Sequence, residues 1–432
     1  MQLLRPTDLD DLATYLPRFI ALVGKERWFK RADHLDKEQR RSPYRWKIVA
    51  DYHWLELAIS FQCDVLAKEN RLLPEHADMQ VRAGLYFAAT IVEVHDALTD
   101  QGKRILTGRL RDALKAETGL AALYLEMDVA QRLAIDGYDL EFPDLDGIAQ
   151  YDIVFSRGDV FGEVECKSIS VDAGRKIHRK DFYRFIEAMT PAFMAQIERS
   201  HREVLLVDLV DRLPANLQAQ KELRQAVRER LLDGSIPDMS TSAFTITRLE
   251  FDQMLPDVDV HDQPSLNRTC QQIWGQNCHA AGAMTEAGGC LIVMRSAKED
   301  DPSKPLLDAM RKAASQFSGN HPGFIAIQFD DIAPADLLLP HVRRRSGILS
   351  YALYLHYGAA HVSATCFSAF DGLVEHDGNV ASPSFGILNP EPKYTQTAAE
   401  IPTFLSTISD QQFAEILGAP LPSDNISRFS FE

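Results

Sequence analysis

Apolar residues recur at helical spacing through the first quarter of the chain. In Tyr44–Arg71 and again in Met79–Leu98, apolar side chains return every three or four residues, and few strand-like runs interrupt them. The pattern therefore predicts an all-helical N-terminal module over residues 1–118.

The pattern changes after Gly119, where one further helix leads into short runs of strand type. Leu120–Asp136 has helical spacing, and Gly137 is a typical stop signal. Turn-rich connections then separate three predicted strands, which are Tyr138–Phe142, Tyr151–Phe155 and Val160–Lys167.

Helices and strands continue to alternate beyond this point. The pattern predicts helices over residues 181–200, 215–232 and 305–317, and strands over 203–209, 243–249, 290–294 and 323–329. Residues 252–289 are polar and irregular, which favours an insertion or a long loop, and residues 348–376 contain further strand-like runs. We therefore predict an α/β domain over residues 119–335 with an insertion near 252–289, followed by a small C-terminal α+β extension over 336–432.

Composition adds that the chain is an ordinary globular protein. Of its 432 residues, 45% are hydrophobic and 25% charged, which excludes a disordered or fibrous protein. No apolar run is long enough to predict a membrane span, and the N-terminus lacks the pattern of a signal peptide. Together with six scattered cysteines, these features favour a cytoplasmic location.

Four residues of types that bind zinc lie close together in the sequence, and they raise the question of a zinc site. Cys270, Cys278, His279 and Cys290 match no zinc-ligand spacing, so buried or inert thiols are the favoured interpretation.

The net charge of −16 argues against tight, non-specific coating of DNA. Its distribution is uneven, because residues 1–118 hold 19 basic and 18 acidic side chains, whereas residues 347–432 hold 2 and 9. An acidic total of this kind leaves room for local basic grooves that contact phosphates.

The most informative stretch is the strand that carries Glu163, Glu165 and Lys167. Alternate residues of a strand share a face, so these three project together, whereas Val164 and Cys166 point into apolar packing. A hairpin with its turn near residues 157–159 would bring Asp152, at the start of the preceding strand, toward Glu165 and Lys167.

Carboxylates that converge in this way repel each other unless a cation lies between them. Mg²⁺ prefers hard oxygen ligands, keeps several waters and often takes only one or two carboxylates. A lysine beside the metal can orient or deprotonate an attacking water, or stabilise charge on a phosphate. The residue types therefore favour phosphodiester hydrolysis.

The arrangement resembles the PD-(D/E)XK nuclease superfamily. Asp152 matches the first acid, Glu165-Cys166-Lys167 matches the (D/E)XK element, and Tyr151 stands where the family name has proline. The resemblance implies a restriction-endonuclease-like mixed sheet flanked by helices. It also implies Mg²⁺, with Mn²⁺ as a substitute, bound by Asp152, Glu165 and the backbone carbonyl of Cys166.

The resemblance extends to further site residues. Family members often carry an additional Glu on the helix before the sheet, and Glu126 corresponds to it, on a helical stripe with Leu123 and Ala130. A late-helix Gln supports the site in some branches, which makes Gln316 an accessory candidate. Glu163 is either an accessory site residue or a solvent-exposed one.

A dense basic run follows the ExK strand and would suit phosphate contacts. It contains Arg175, Lys176, Arg179 and Lys180, and its alternative interpretation is the solvated start of a helix.

We therefore expect a Mg²⁺-dependent endonuclease that hydrolyses DNA. The sequence does not distinguish a chain that acts alone from a homodimer or a complex with a partner protein. The alternatives are a catalytically silent nuclease-like module for binding or assembly, and an RNase. A further hypothesis, from architecture alone, is a bacterial defence effector directed against phage or plasmid DNA.

Overall fold

The computed structural model of the chain describes residues 9–72, 79–116, 119–170, 172–197, 201–256, 258, 263–275, 277–285, 288–330, 337, 339–369, 374–376, 379–381, 384–394 and 402. The helices are α1 Leu9–Val23, α2 Lys25–Arg41, α3 Pro43–Glu69, α4 Met79–Ala97, α5 Asp100–Ala113, α6 Ala121–Ile135, α7 Arg179–Ile197, α8 Lys221–Leu232, α9 Phe251–Met254, α10 Gln263–Trp274, α11 Ser303–Ala314 and α12 Pro340–Tyr351.

The strands are β1 Asp139–Glu141, β2 Ile153–Arg157, β3 Val160–Ser170, β4 Arg202–Leu209, β5 Met239–Ser240, β6 Phe244–Glu250, β7 His279–Met284, β8 Gly289–Ser296, β9 Gly323–Asp330, β10 Val362–Ala369, β11 Val374–His376, β12 Asn379–Ala381 and β13 Ser384–Leu388. The fold is therefore mixed α/β, as the sequence predicts. Among the described residues, no helix is both long and apolar enough to cross a membrane.

The chain forms two compact units. The first combines Met1–Asp33, Tyr52–Val171 and Leu306–Glu432, and the second combines His34–Asp51 and Asp172–Pro305. These boundaries differ from the three consecutive segments that the sequence favours (1–118, 119–335 and 336–432), because β9, β10 and β13, from the last third of the chain, lie in the same sheet as β3.

The first unit contains a six-stranded mixed sheet in the order β1-β2-β3-β9-β10-β13. β2 and β3 form an antiparallel hairpin, and β3 then pairs in parallel with β9, with Glu165 opposite Ile325. β9 pairs in parallel with β10, and β13 closes that side as an antiparallel edge strand. This topology places β3, the ExK strand, in the middle of the sheet.

Helices of the same unit cover one face of this sheet. Apolar residues of α1 at helical spacing, Leu12, Leu16, Phe19 and Val23, are all buried. They belong to one apolar core with side chains of α4, α5 and α6, and with Val164 and Cys166 of β3. The alternation predicted for β3 is thus confirmed on its apolar face.

The second unit has its own five-stranded mixed sheet in the order β5-β6-β4-β8-β7. β4 and β8 are the parallel pair at its centre. Phe182 and Phe185 of α7 pack on buried residues of these strands, including Val207 and Ile292. The helix–strand pair that follows β3 in sequence therefore builds a separate sheet, and α11–β9 supplies the parallel neighbour of β3.

The structure corrects the sequence expectation for one irregular segment and confirms part of the expectation for one strand-like segment. Residues 252–289 contain α10 and β7, because Leu266, Cys270 and Trp274 form a buried stripe at helical spacing among polar neighbours. The strand-like runs expected within residues 348–376 are confirmed by β10 and β11. Residues 348–356 of that stretch are helical instead, comprising the end of α12 and a π-helical turn over Ala352–His356.

Candidate active site

The hairpin of β2 and β3 brings the first acid to the ExK element. Asp152 lies one residue before β2, and its backbone N–H donates to the Val164 carbonyl at 3.1 Å. Its carboxylate accepts a hydrogen bond of 2.7 Å from the backbone N–H of Cys166. The hairpin turn contains Gly158, whose φ of +60° suits glycine. Antiparallel pairing thus fixes Asp152 beside Glu165 and Lys167.

Glu165 and Lys167 share a face of β3 and form an ion pair. The Glu165 side chain is 1% exposed, and its Oε2 atom accepts no hydrogen bond from any described residue. Burial and the nearby charge of Asp152 raise the pKa of Glu165 to about 8, against the opposing effect of Lys167. The centre therefore holds a buried carboxylate oxygen without a hydrogen-bond donor.

Glu126 reaches the same neighbourhood from α6, on the helical stripe that the sequence placed toward the sheet. It is buried and forms an ion pair with Arg109. Burial and the charge of Asp152 raise its pKa to about 8, while Arg109 acts in the opposite direction. Asp152 thus interacts with the carboxylates of both Glu126 and Glu165.

Two residues of this cluster were missed by sequence reasoning. Arg109 of α5 pairs with Glu126 and also with Asp144, whose Oδ2 lies 2.9 Å from Nη1 of Arg109. Burial raises the pKa of Asp144 to about 6, with a further contribution from Asp152. Asp144 follows Pro143 in the connection between β1 and β2, and this Pro-Asp pair was a sequence signal that could have identified Asp144. Arg109 lies on an ordinary polar helix and carried no such signal.

Glu163 and Gln316 lie at a different part of the site region. Glu163 is fully buried and accepts hydrogen bonds from the backbone N–H, at 2.9 Å, and the hydroxyl of Ser318, so the solvent-exposed alternative is wrong. Nε2 of Gln316 donates to the Gln150 carbonyl at 2.8 Å. Gln316 thereby anchors the chain two residues before Asp152, and Glu163 anchors the turn after α11.

The basic run after β3 belongs to the second unit. Arg179 begins α7, and its backbone N–H donates to the Asp172 carboxylate at 2.9 Å. Burial lowers the pKa of Lys180 to about 8, and the neighbouring cations Arg184 and Arg45 lower it further. Arg175 and Lys176 are half-buried residues of the loop before α7. The run is therefore a locally positive region of a chain that is acidic overall.

The thiols near His279 are buried, as the sequence favours. Cys270 and Cys278 pack in one apolar cluster and Cys290 in another. The His279 ring stacks on Phe182 and its Nε2 lies 3.0 Å from the Ile177 carbonyl.

The donor set of the centre suits a hard divalent cation. Within the described parts of the chain, no group of three or more His, Cys, Asp or Glu side chains has the arrangement of a metal site. Mg²⁺ needs fewer, because waters complete its coordination. Asp152 and Glu165 offer carboxylate oxygens, and the thiol of Cys166 lies in the apolar core, which leaves its carbonyl as the available group. The unpartnered Glu165 Oε2 is the observation that fits a cation best.

Comparison with known proteins gave no relative: no protein-family model matches the sequence, and a search of the curated proteins found no match.

Proposed function

We propose that the protein is a Mg²⁺-dependent endonuclease that hydrolyses phosphodiester bonds of DNA. The observation that carries the proposal is the convergence of Asp152, Glu165 and Lys167 on adjacent antiparallel strands, with one Glu165 oxygen buried and without a donor. Buried carboxylates with raised pKa values are expected where a cation binds, because an ionised group is costly in the interior without a partner.

Each residue of the centre has a role in this proposal. Asp152, Glu165 and the carbonyl of Cys166 would hold Mg²⁺, with Mn²⁺ as a substitute. The metal would supply charge stabilisation at the phosphate and a lower pKa for a bound water. Lys167, held in place by Glu165, would orient the attacking water and stabilise the negative charge that develops on the phosphate. Glu126 would add a second acidic group beside Asp152.

The fold of the first unit supports a restriction-endonuclease-like interpretation. In that interpretation, α6, β1, β2 and β3 form the first half of the nuclease core, and α11 with β9 forms the next helix–strand element. Residues 172–305 are then an insertion that builds the second unit together with residues 34–51. Expected products carry 5′-phosphate and 3′-hydroxyl ends, as in the family that the chain resembles.

The basic run of the second unit would contribute phosphate contacts. Burial lowers the pKa of Lys180, neighbouring cations lower it further by repelling its charge, and a bound phosphate would relieve that repulsion. We propose that Arg175, Lys176, Arg179 and Lys180 bind the nucleic-acid backbone, which carries no sequence preference by itself.

Plasmid cleavage tests the proposal directly. Supercoiled plasmid is incubated with the protein in Mg²⁺, in Mn²⁺ and in EDTA. Asp152→Ala and Lys167→Ala should each lose at least about 100-fold in rate, the usual scale for groups in acid–base and metal chemistry. Asp112→Ala and Lys115→Ala are the matched controls, because this Asp–Lys pair of the same unit is exposed. Equal cutting by wild type and both site variants would refute the proposal.

Two further measurements separate the alternatives. A matched RNA substrate cut faster than DNA would indicate an RNase. Calorimetric titration with Mn²⁺ that shows no binding dependent on Asp152 and Glu165 would indicate a catalytically silent module. For the defence hypothesis, expression in a phage-challenged host should protect it, and the protection should be lost in Lys167→Ala.

A further inference from the structure

Arg109 joins three segments of the first unit at the candidate centre. It lies on α5, and its guanidinium pairs through Nη2 with Glu126 of α6 and through Nη1 with Asp144 of the β1–β2 connection. The Arg109 side chain is 31% exposed, whereas that of Glu126 is 10% exposed. The pair is therefore mostly withdrawn from water, unlike an ordinary surface ion pair.

The shape of the guanidinium explains why arginine occupies this position. Its planar fork can donate to two different carboxylates at once, which a lysine ammonium on one flexible stem does less well. Burial alone would lower the pKa of Arg109, but Glu126 and Asp144 raise it above its usual value. A fixed positive charge is thus maintained between two acids that also interact with Asp152.

The connection that carries Asp144 is anchored independently of Arg109. Asp146 accepts hydrogen bonds from the backbone N–H, at 3.2 Å, and the hydroxyl, at 2.5 Å, of Thr99. The Gln150 carbonyl accepts the hydrogen bond from Gln316. Loss of the Arg109 side chain would therefore leave the course of this connection in place and release mainly the two carboxylates.

We propose that Arg109 is a positioning residue of the phosphodiesterase centre, which holds the carboxylates of Glu126 and Asp144 in place beside Asp152. This inference rests on the proposed function. Arg109 acts through Glu126, so its removal and the removal of the Glu126 charge impair the same step.

A double-mutant cycle on plasmid cleavage tests this dependence. Arg109→Ala and Glu126→Gln should each lower kcat by about tenfold or more with KM within about twofold, and the double variant should be no slower than the slower single variant. Arg109→Lys should recover only part of the rate. Arg111→Ala, an exposed arginine on the same helix, is the control and should match wild type. Thermal unfolding of each variant reports that it is folded.

The outcomes separate this inference from the proposed function. If the wild type cuts DNA, two results would overturn the role of Arg109 and leave the proposed function standing. One is a double variant in which the two single losses in rate multiply, and the other is an Arg109→Ala rate within about twofold of wild type. If the wild type binds Mn²⁺ without cutting DNA, the proposed function fails. The double-mutant cycle is then measured on Mn²⁺ affinity, and losses of affinity that multiply in the double variant would overturn the role of Arg109. A wild type that neither cuts nor binds Mn²⁺ overturns both.

Discussion

Replacing Glu165 with glutamine is expected to stabilise the metal-free protein at alkaline pH. The glutamate is buried, one of its oxygens has no hydrogen-bond donor among the described residues, and its pKa is raised from 4.5 to about 8. Glutamine keeps the shape and an oxygen that Lys167 can donate to, but it carries no charge.

The magnitude follows from the pKa difference between the folded and unfolded chain. In the unfolded chain the Glu165 proton is released near pH 4.5, whereas the folded protein keeps it until about pH 8. Between these values the folded state binds more protons, so stability falls as pH rises, by about 1.4 kcal/mol per pH unit for one proton. The full effect, above pH 8, is on the order of 5 kcal/mol, and it is absent below pH 4.5.

Urea denaturation in EDTA at pH 5.5, 7.0 and 8.5 measures this effect as the free energy of unfolding. Glu165→Gln and wild type should be close at pH 5.5 and should diverge steadily toward pH 8.5. Glu141→Gln, at an exposed glutamate of β1, is the control for removal of one negative charge. Added Mg²⁺ should stabilise wild type at pH 8.5 and should leave Glu165→Gln unchanged, because the ligand oxygen is lost.

A flat difference between the two proteins across this pH range would refute the reasoning. It would mean that Glu165 is already ionised in the folded protein at pH 5.5, with Lys167 compensating fully for its burial. A Glu165→Gln variant less stable than wild type at pH 8.5 in EDTA would refute it more strongly, since the carboxylate would then stabilise the fold without a metal.

Two further predictions concern the helical layer and the basic run. Gly119→Ala should lower the free energy of unfolding, measured by urea titration, by about 2–4 kcal/mol, because φ is +59° and the new Cβ would contact the Glu56 carboxylate. Gly158→Ala has a φ of +60° and open space around the new Cβ, so it should cost about 1 kcal/mol, and equal losses in the two variants would contradict the steric explanation. Arg175→Ala should weaken DNA binding and lower the magnitude of the slope of log affinity against log salt concentration by about 0.9. Arg228→Ala, at an exposed arginine of α8, is the control and should leave the slope unchanged. An unchanged slope in Arg175→Ala would show that Arg175 does not contact phosphate.

The central part of the candidate site was predictable because its geometry is local. The two-residue period of β3 determines which side chains share a face, and one hairpin turn determines that Asp152 meets the ExK element. Glu126 came from the family resemblance, and helical periodicity added only that its side chain faces the sheet. The contacts among Asp152, Glu165 and Lys167 lie within one hairpin of sequence, where pattern and structure are directly linked.

Contacts between distant segments were not predictable from such patterns. β4 and β9 are both apolar runs that follow a helix, and nothing local shows that β9 pairs with β3 while β4 pairs with β8. Arg109 lies on a helix whose polar residues look like a solvated face, so the pattern gave no sign of its pairing with Glu126 and Asp144. α10 was missed because only a narrow stripe of its side chains is apolar.

The long insertion between β3 and β9 has a consequence for how the centre is assembled during synthesis. Glu165 and Lys167 stay on an incomplete sheet until the ribosome has released β9, more than 150 residues later, so the centre is completed late. The two ends of the folded insertion lie side by side. The backbone N–H of Asp301 donates to the Gly174 carbonyl, and the Asp300 carboxylate accepts from the backbone N–H of Lys176. Folding of the insertion thus shortens the loop that β3 and β9 must close and lowers its entropic cost. A nascent chain would then complete the sheet around the candidate centre after β9 has been synthesised, and folding of the insertion would favour that step.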